Sequence, residues 1–343
     1  MNANSIVIVL SVGIALASLG CGGLSKEAEE YYTSGVNLHE ERRLEAAIAE
    51  YDEAIRLHPG YAAAYSNRGS AYDDLGQYQQ AIQDHEEAIR LDPRTPFAFF
   101  KREAAYKHQR IIQPYDEAVR LSPQNAAAYN KRGLAYLKLG QHQHAIQDYD
   151  QAIRLDPEYA LVYSNRGAAY HHLGQPKRAI EDYDEAIRLD PQLARAHGNR
   201  GNAYLVLGDQ ERAIQDYGQA IRLDPQDPSA YSNRGSAYRS LGEHQRAILD
   251  YDEAIRLNPR YAIAFSNRGN AYSGLGRFQR AIEDYDEAIA LDPQYAEAYA
   301  NRGFNYAFLG NDEKAQGNYE RAVEVGFGRV RLQEAIEEFN NPR

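Results

Sequence analysis

Three kinds of side chain return at one fixed distance along this 343-residue chain, and each brings its own chemistry. The phrase Ser-Asn-Arg-Gly stands at 66–69, 164–167, 232–235 and 266–269, and asparagine keeps the same place at Asn199 and Asn301. An asparagine amide carries one acceptor and two donors, enough to pair with a peptide group whatever side chain that group bears. Arg68, Arg132, Arg166, Arg200, Arg234 and Arg268 are each followed sixteen residues on by Asp84, Asp148, Asp182, Asp216, Asp250 and Asp284. Arginine and carboxylate in that arrangement point to charge-assisted hydrogen bonds.

Other chemistries are poorly served. His142 and His144 are two apart and His171 and His172 adjacent, so neither pair shares a helix face as metal ligands four apart would. His85 and His197 take places that hold tyrosine in the neighbouring phrases and read as packing residues. Carboxylates in phrases like Asp-Tyr-Asp-Glu-Ala-Ile read as a solvated helix surface rather than acid–base pairs. There is no glycine-rich phosphate loop and no nucleophile motif, so the chain is expected to be no enzyme and to need no cofactor or metal. A formal charge of −11, with no run of Lys and Arg, repels phosphate backbones and excludes nucleic acid as a natural partner.

The elements that position these residues are marked by proline. Pro59, Pro93, Pro123, Pro157, Pro191, Pro225, Pro259 and Pro293 follow one another at 34, 30, 34, 34, 34, 34 and 34 residues. In the stretch 160–193, Tyr163, Gly167 and Tyr170 fall at i, i+4 and i+7, on one helix face, and Ala179, Tyr183 and Ala186 do the same. Gly174 sits between the two patterns, where a reversal is easiest, and Pro191 ends the second. One such hairpin cannot cover both of its apolar faces, so hairpins must stack.

That pattern resembles the tetratricopeptide repeat, a helix–turn–helix unit of about 34 residues. The resemblance implies an all-α fold, a right-handed α–α superhelical solenoid of about nine units closed by a C-terminal capping helix. The units run 28–61, 62–95, 96–125, 126–159, 160–193, 194–227, 228–261, 262–295 and 296–325, with a cap and tail at 326–343. The family's Trp at the fourth position is Tyr, Phe or His here, and its Leu at the seventh is Arg. Unit 96–125 is irregular: it has Glu103 in place of Gly, no Leu-Gly turn, and Pro114 inside its second helix. A shortened hairpin and a local change of geometry are expected there. Leu332, Ala335, Ile336 and Phe339 form the apolar stripe of the cap.

Each member of the Asn-Arg-Gly phrase then has a separate role. Gly at the eighth position lies among aromatics where no side chain fits. Arg at the seventh sits about 60° off the packed face, as does the aspartate of the second helix. It reads as a partly exposed ion pair within the unit, worth at most about 1 kcal/mol. Asn at the sixth is roughly 200° from the fourth residue and faces away from the packing. By the resemblance, first helices line a concave groove in which Asn67, Asn165, Asn199, Asn233, Asn267 and Asn301 form a ladder that binds the backbone of an extended peptide. Lys131, Arg195, Asn202 and Asn270 lie on the same face, as do Ser229, Ser236, Ser240, Phe304 and Phe308. The other reading of the ladder is a solvated surface copied by repeat duplication.

Before the repeats, residues 6–19 are apolar and end at Gly20-Cys21-Gly22. The segment is short for a membrane span and suits the core of a signal peptide. Cys21, the chain's one cysteine, resembles the acylated cysteine of bacterial lipoproteins, although Ser18 stands where that signal usually has Leu. Cleavage after Ala15-Leu16-Ala17 and an uncleaved anchor are the alternatives. The expectation is a membrane-tethered, extracytoplasmic scaffold of the cell envelope that binds a protein or extended peptide segment. The alternative is a structural component of an envelope assembly, joined through its helix edges with the groove unused.

Overall fold

The computed structural model describes residues 24–94 and 96–340, with side chains as far as residue 337. The signal-like segment and Cys21 lie outside the described residues, as does the side chain of Phe339. Among the described residues all regular structure is helical, in two compact units divided after Pro157.

The N-terminal unit contains α1 (Lys26–Glu40), α2 (Leu44–Leu57), α3 (Ala62–Asp74), α4 (Tyr78–Leu91), α5 (Pro96–Leu121), α6 (Ala126–Lys138) and α7 (His142–Leu155). The C-terminal unit contains α8 (Ala160–His172), α9 (Pro176–Leu189), α10 (Ala194–Val206), α11 (Gln210–Leu223), α12 (Pro228–Ser240), α13 (His244–Leu257), α14 (Ala262–Gly274), α15 (Phe278–Leu291), α16 (Ala296–Phe308), α17 (Asp312–Glu324) and α18 (Arg329–Asn340). Apart from α5 and α18, the helices pair as antiparallel hairpins, and within each unit neighbouring elements pack on one another.

The turns follow from one conformational requirement. Gly174 has φ +71°, its N–H bonds His171 O, and the N–H of Gln175 bonds Tyr170 O. This is the αL helix stop that glycine adopts without a Cβ penalty. The same stop recurs at Gly76, Gly140, Gly208, Gly242, Gly276 and Gly310. In the first hairpin Arg42 takes its place at φ +61°.

Within a hairpin the glycine of the first helix receives the tyrosine of the second. A Cβ on Gly167 would stand 2.7 Å from Tyr183 Cε1, and one on Gly235 would stand 2.9 Å from Tyr251 Cε1. Those tyrosines are fully buried among alanines, which let the helices approach closely. At the C-terminal end, Leu332 and Ile336 of α18 pack on Tyr299, Ala322 and their neighbours, as a cap should.

Residues 96–125 depart from the expectation of a shortened hairpin. Pro96–Leu121 form one helix, α5, of 26 residues. Where seven of the hairpins have Leu-Gly, α5 runs through His108-Gln109-Arg110, which lacks the glycine that adopts positive φ without a Cβ penalty, and the helix continues. The hairpins on either side therefore meet across it. Tyr78 Oη donates to Gln141 Oε1 at 2.5 Å, and Gln141 Nε2 donates to the carbonyl of Asp73 at 3.1 Å.

Candidate functional site

The arginines do more than the spacing predicts. Arg68 Nε and Nη2 donate to both oxygens of Asp84, at 2.8 and 2.7 Å, the bidentate fork that guanidinium geometry favours. Its third nitrogen, Nη1, donates to Asp52 on the second helix of the preceding hairpin at 2.5 Å. The same bridge joins Arg132 to Asp116, Arg200 to Asp184, Arg268 to Asp252 and Arg302 to Asp286. Each of these arginines therefore ties two repeats together, sixteen residues forward and sixteen back. The forward pair is partly exposed on the arginine side alone: the arginines keep 18–23% of their side-chain surface, while Asp84, Asp148, Asp182, Asp250 and Asp284 keep no more than 9%. The first carboxylate of the Asp-Tyr-Asp phrase is thus buried, which corrects its reading as solvated surface, while the second stays about half exposed as it bridges repeats. Burial pushes Asp216 up, but the hydrogen bonds from Arg200 and the His197 ring 3.7 Å away outweigh that and hold it below the usual carboxylate range.

The asparagines also differ from expectation. Asn165 is buried, and Asn67, Asn199, Asn233, Asn267 and Asn301 are half-buried, because neighbouring first helices flank them. Asn67 Nδ2 donates to Tyr32 Oη at 3.0 Å, Asn233 Nδ2 to Asn202 Oδ1 at 3.3 Å, and Asn301 Nδ2 to Asn270 Oδ1 at 3.0 Å. Asn165 Oδ1 accepts from Arg195 Nη2 at 3.2 Å. At Asn67, Asn165, Asn233 and Asn301 the sixth residue therefore staples one first helix to a neighbouring one. Lys131 is exposed, as a groove cation would be.

Two of these staples are held from behind. Tyr217 Oη donates to Asn202 Oδ1 at 2.6 Å, and Tyr285 Oη to Asn270 Oδ1 at 2.7 Å. Burial raises both phenols, so each hydroxyl remains a donor at neutral pH. Ser236 meets Tyr251 Oη in the same place at 3.1 Å. With Oδ1 of Asn202 and Asn270 saturated, their Nδ2 groups and the Oδ1 atoms of Asn233 and Asn301 make no hydrogen bond with the described residues. Each pair thus presents one free donor and one free acceptor, the complement of a peptide group. Sequence reasoning missed the tyrosines. The signal was the coincidence of Asn at the ninth position with Tyr fifteen residues later in these two repeats.

Among the described residues no three His, Cys, Asp or Glu side chains gather as metal ligands. No described helix is long and apolar enough to cross a membrane.

The family description TPR repeat matches residues 37–76, 112–140, 136–174, 201–242 and 235–276, which together exceed half the chain. Tetratricopeptide repeat descriptions match 62–94, 160–193 and 262–295, then 182–215 and 296–325. An uncharacterized protein of Methanocaldococcus jannaschii is 38% identical over 55 residues, which is 16% of this chain and 64% of that protein's length. Among solved structures, a chain of the APC/C hetero-tetramer Cut9–Hcn1 is 16% identical at a TM-score of 0.60, covering 93% of this chain and 77% of that one. PilF of Pseudomonas aeruginosa is 21% identical at 0.55, covering 66% of this chain and 99% of its own. PilW, a type IV pilus biogenesis factor, is 18% identical at 0.57, covering 62% and 98%. At these identities the three structures establish the fold.

Proposed function

The chain belongs to the tetratricopeptide repeat family, and on that premise we propose that it is a non-catalytic scaffold that holds an extended segment of a protein partner along its first helices. One observation carries the reading. The amide pairs Asn202–Asn233 and Asn270–Asn301 are oriented by Tyr217 and Tyr285 and still offer a donor and an acceptor each. Side chains fixed in this way lose little entropy when a peptide backbone takes up the free groups. Lys131 and Arg195 add positive charge on the same face of their helices, which suits a segment with acidic residues. Membrane tethering through Cys21, with the repeats outside the cytoplasm, belongs to the same proposal and rests on the sequence of residues 6–22.

The test is to select binders from a displayed library of disordered protein segments against the full chain, then titrate a selected peptide calorimetrically. A ladder that reads the backbone predicts that N-methylation of the central peptide groups abolishes binding, while changes of neighbouring side chains are tolerated. If N-methylated peptides bind undiminished, the ladder is wrong. If crosslinks in the native host map only to helix edges, the structural-component reading takes its place. For the tether, Cys21→Ala is compared with the unaltered chain after labelling with a fatty-acid analogue, and equal labelling removes the lipid anchor.

A further inference from the structure

We infer that the first half of α5 is a docking face for an acidic amphipathic helix of another protein. In each complete hairpin the fourth, eighth and eleventh residues of the first helix face the second helix. In α5 these are Phe99, Glu103 and Tyr106, and no second helix folds back to cover them. Phe99 and Tyr106 are 38% and 43% exposed, and beside them Phe97 and Phe100 are 49% and 76% exposed. Exposed aromatics grouped in this way mark an interaction surface rather than scattered surface residues.

Arg102 states what the occupant must bring. In the intact repeats the equivalent arginine gives Nε to a buried aspartate of the second helix. On α5 the residue at that aspartate's place is Pro114, and Arg102 Nε is buried with no hydrogen-bond partner. Among the described residues the guanidinium hydrogen-bonds Glu103 beside it, Nη2 to Oε1 at 3.1 Å, and otherwise lies over the Phe99 ring at 5.7 Å. Its second route, back to the preceding hairpin, is not taken either: Glu86 there accepts from Tyr106 Oη at 3.0 Å instead. A buried donor left without an acceptor carries a cost that an arriving carboxylate removes.

Charge selects between occupants. Arg102, Lys107 and Arg110 outweigh Glu103 on this face, in a chain whose formal charge is −11. A second copy docking symmetrically would set the same positive face against itself. A carboxylate-bearing helix meets no such repulsion, and Asp182-Tyr183 on α9 shows the form of residue pair that fills the equivalent site. Glu103, where the other repeats have glycine, holds a visitor farther out than α9 stands from α8, so the aromatic rim supplies much of the contact.

The probe is a labelled synthetic peptide of residues 175–190, the chain's own α9 with its flanking residues, titrated into the full chain by fluorescence anisotropy at low salt. Saturable binding is expected, weakened about tenfold or more by Asp182→Asn in the peptide and likewise by Arg102→Met in the chain. Phe100→Ser, at a position too exposed to affect folding, should weaken it as well, with melting curves confirming that each variant is folded. Absence of saturable binding, or binding indifferent to Phe100→Ser and to the peptide's Asp182→Asn, overturns the inference. A concentration-dependent dimer in sedimentation that Phe100→Ser abolishes also overturns it and assigns the face to a second copy.

Discussion

Arg234 points its third nitrogen at Gly218, where the corresponding arginines meet Asp52, Asp116, Asp184, Asp252 and Asp286. A Cβ at residue 218 would stand 3.8 Å from Arg234 Nη1, so the side chain that completes the bridge has room to enter. Gly218→Asp should therefore strengthen the junction between α11 and α12. Because Asp and Gly are both weak helix formers, most of the gain comes from the new exposed pair, about 0.2–1 kcal/mol. Denaturant titration at low and high salt separates the parts: the Gly218→Asp gain should shrink with salt and fall in an Arg234→Met background. A gain that survives Arg234→Met would belong to helix propensity or to a pair with Arg222, whose Nη1 would stand 3.9 Å from the same Cβ.

Removing the arginine itself should cost more than its spacing in the sequence implies. Asp250 is 6% exposed and takes both Nε and Nη2 of Arg234, so Arg234→Met strands a buried carboxylate. The expected loss is about 2–4 kcal/mol, with much of it recovered in the double variant Arg234→Met/Asp250→Leu, because replacing both charges leaves nothing unpaired. Gly235→Leu should also be costly, about 1–3 kcal/mol or more, since its first added carbon meets the Tyr251 ring and the Ala247 carbonyl. Equal losses in the single and double arginine variants would contradict the account of Asp250.

His85 makes the N-terminal unit sensitive to acid. It fills a tyrosine place, is fully buried, and neither ring nitrogen has a hydrogen-bond partner. Burial lowers its pKa from 6.5 to about 4. The unfolded chain takes up a proton below pH 6.5 that the folded chain refuses until about pH 4, so this part of the stability is complete above pH 6.5 and is lost as pH falls between those values. The full loss is on the order of 3 kcal/mol. His85→Tyr should flatten the pH dependence and raise stability at pH 5, with the new hydroxyl meeting Ser70 as Tyr251 meets Ser236. Melting curves from pH 5 to 8 decide it, and an unchanged slope in His85→Tyr would assign the acid sensitivity elsewhere.

Tyr217→Phe tests whether the amide pairs are held from behind. The hydroxyl lies under Asn202 and does not reach the peptide face, so its loss should cost only about 0.5–1.5 kcal/mol of stability. Affinity for a selected peptide should nevertheless fall severalfold, because Asn202 is no longer fixed. Asn233→Ala should weaken binding more, removing both a staple and a free acceptor. Calorimetry on the two variants beside the unaltered chain distinguishes them, and affinity unchanged in both would leave the pair structural.

Much of this molecule is legible in its sequence because a helical hairpin is a local object. The proline spacing, the glycine opposite tyrosine at 167 and 183, and the arginine sixteen residues before aspartate all act within one repeat, where helical periodicity alone decides which residues share a face. The relations between repeats were not legible. Whether Arg200 reaches back to Asp184, or Asn233 donates to Asn202, depends on how far one hairpin is shifted and turned on the next, and no periodicity within a repeat specifies that. The same distinction explains α5. Its sequence shows that the glycine turn is missing, but packing between the flanking hairpins allowed the two half-patterns to continue as one helix, leaving Phe99 uncovered and Arg102 without its aspartate. Sequence by itself determined the repeat and its internal seam; the tertiary structure decided which side chains join one repeat to another, because those contacts depend on the placement of whole helices rather than on the order of residues within them.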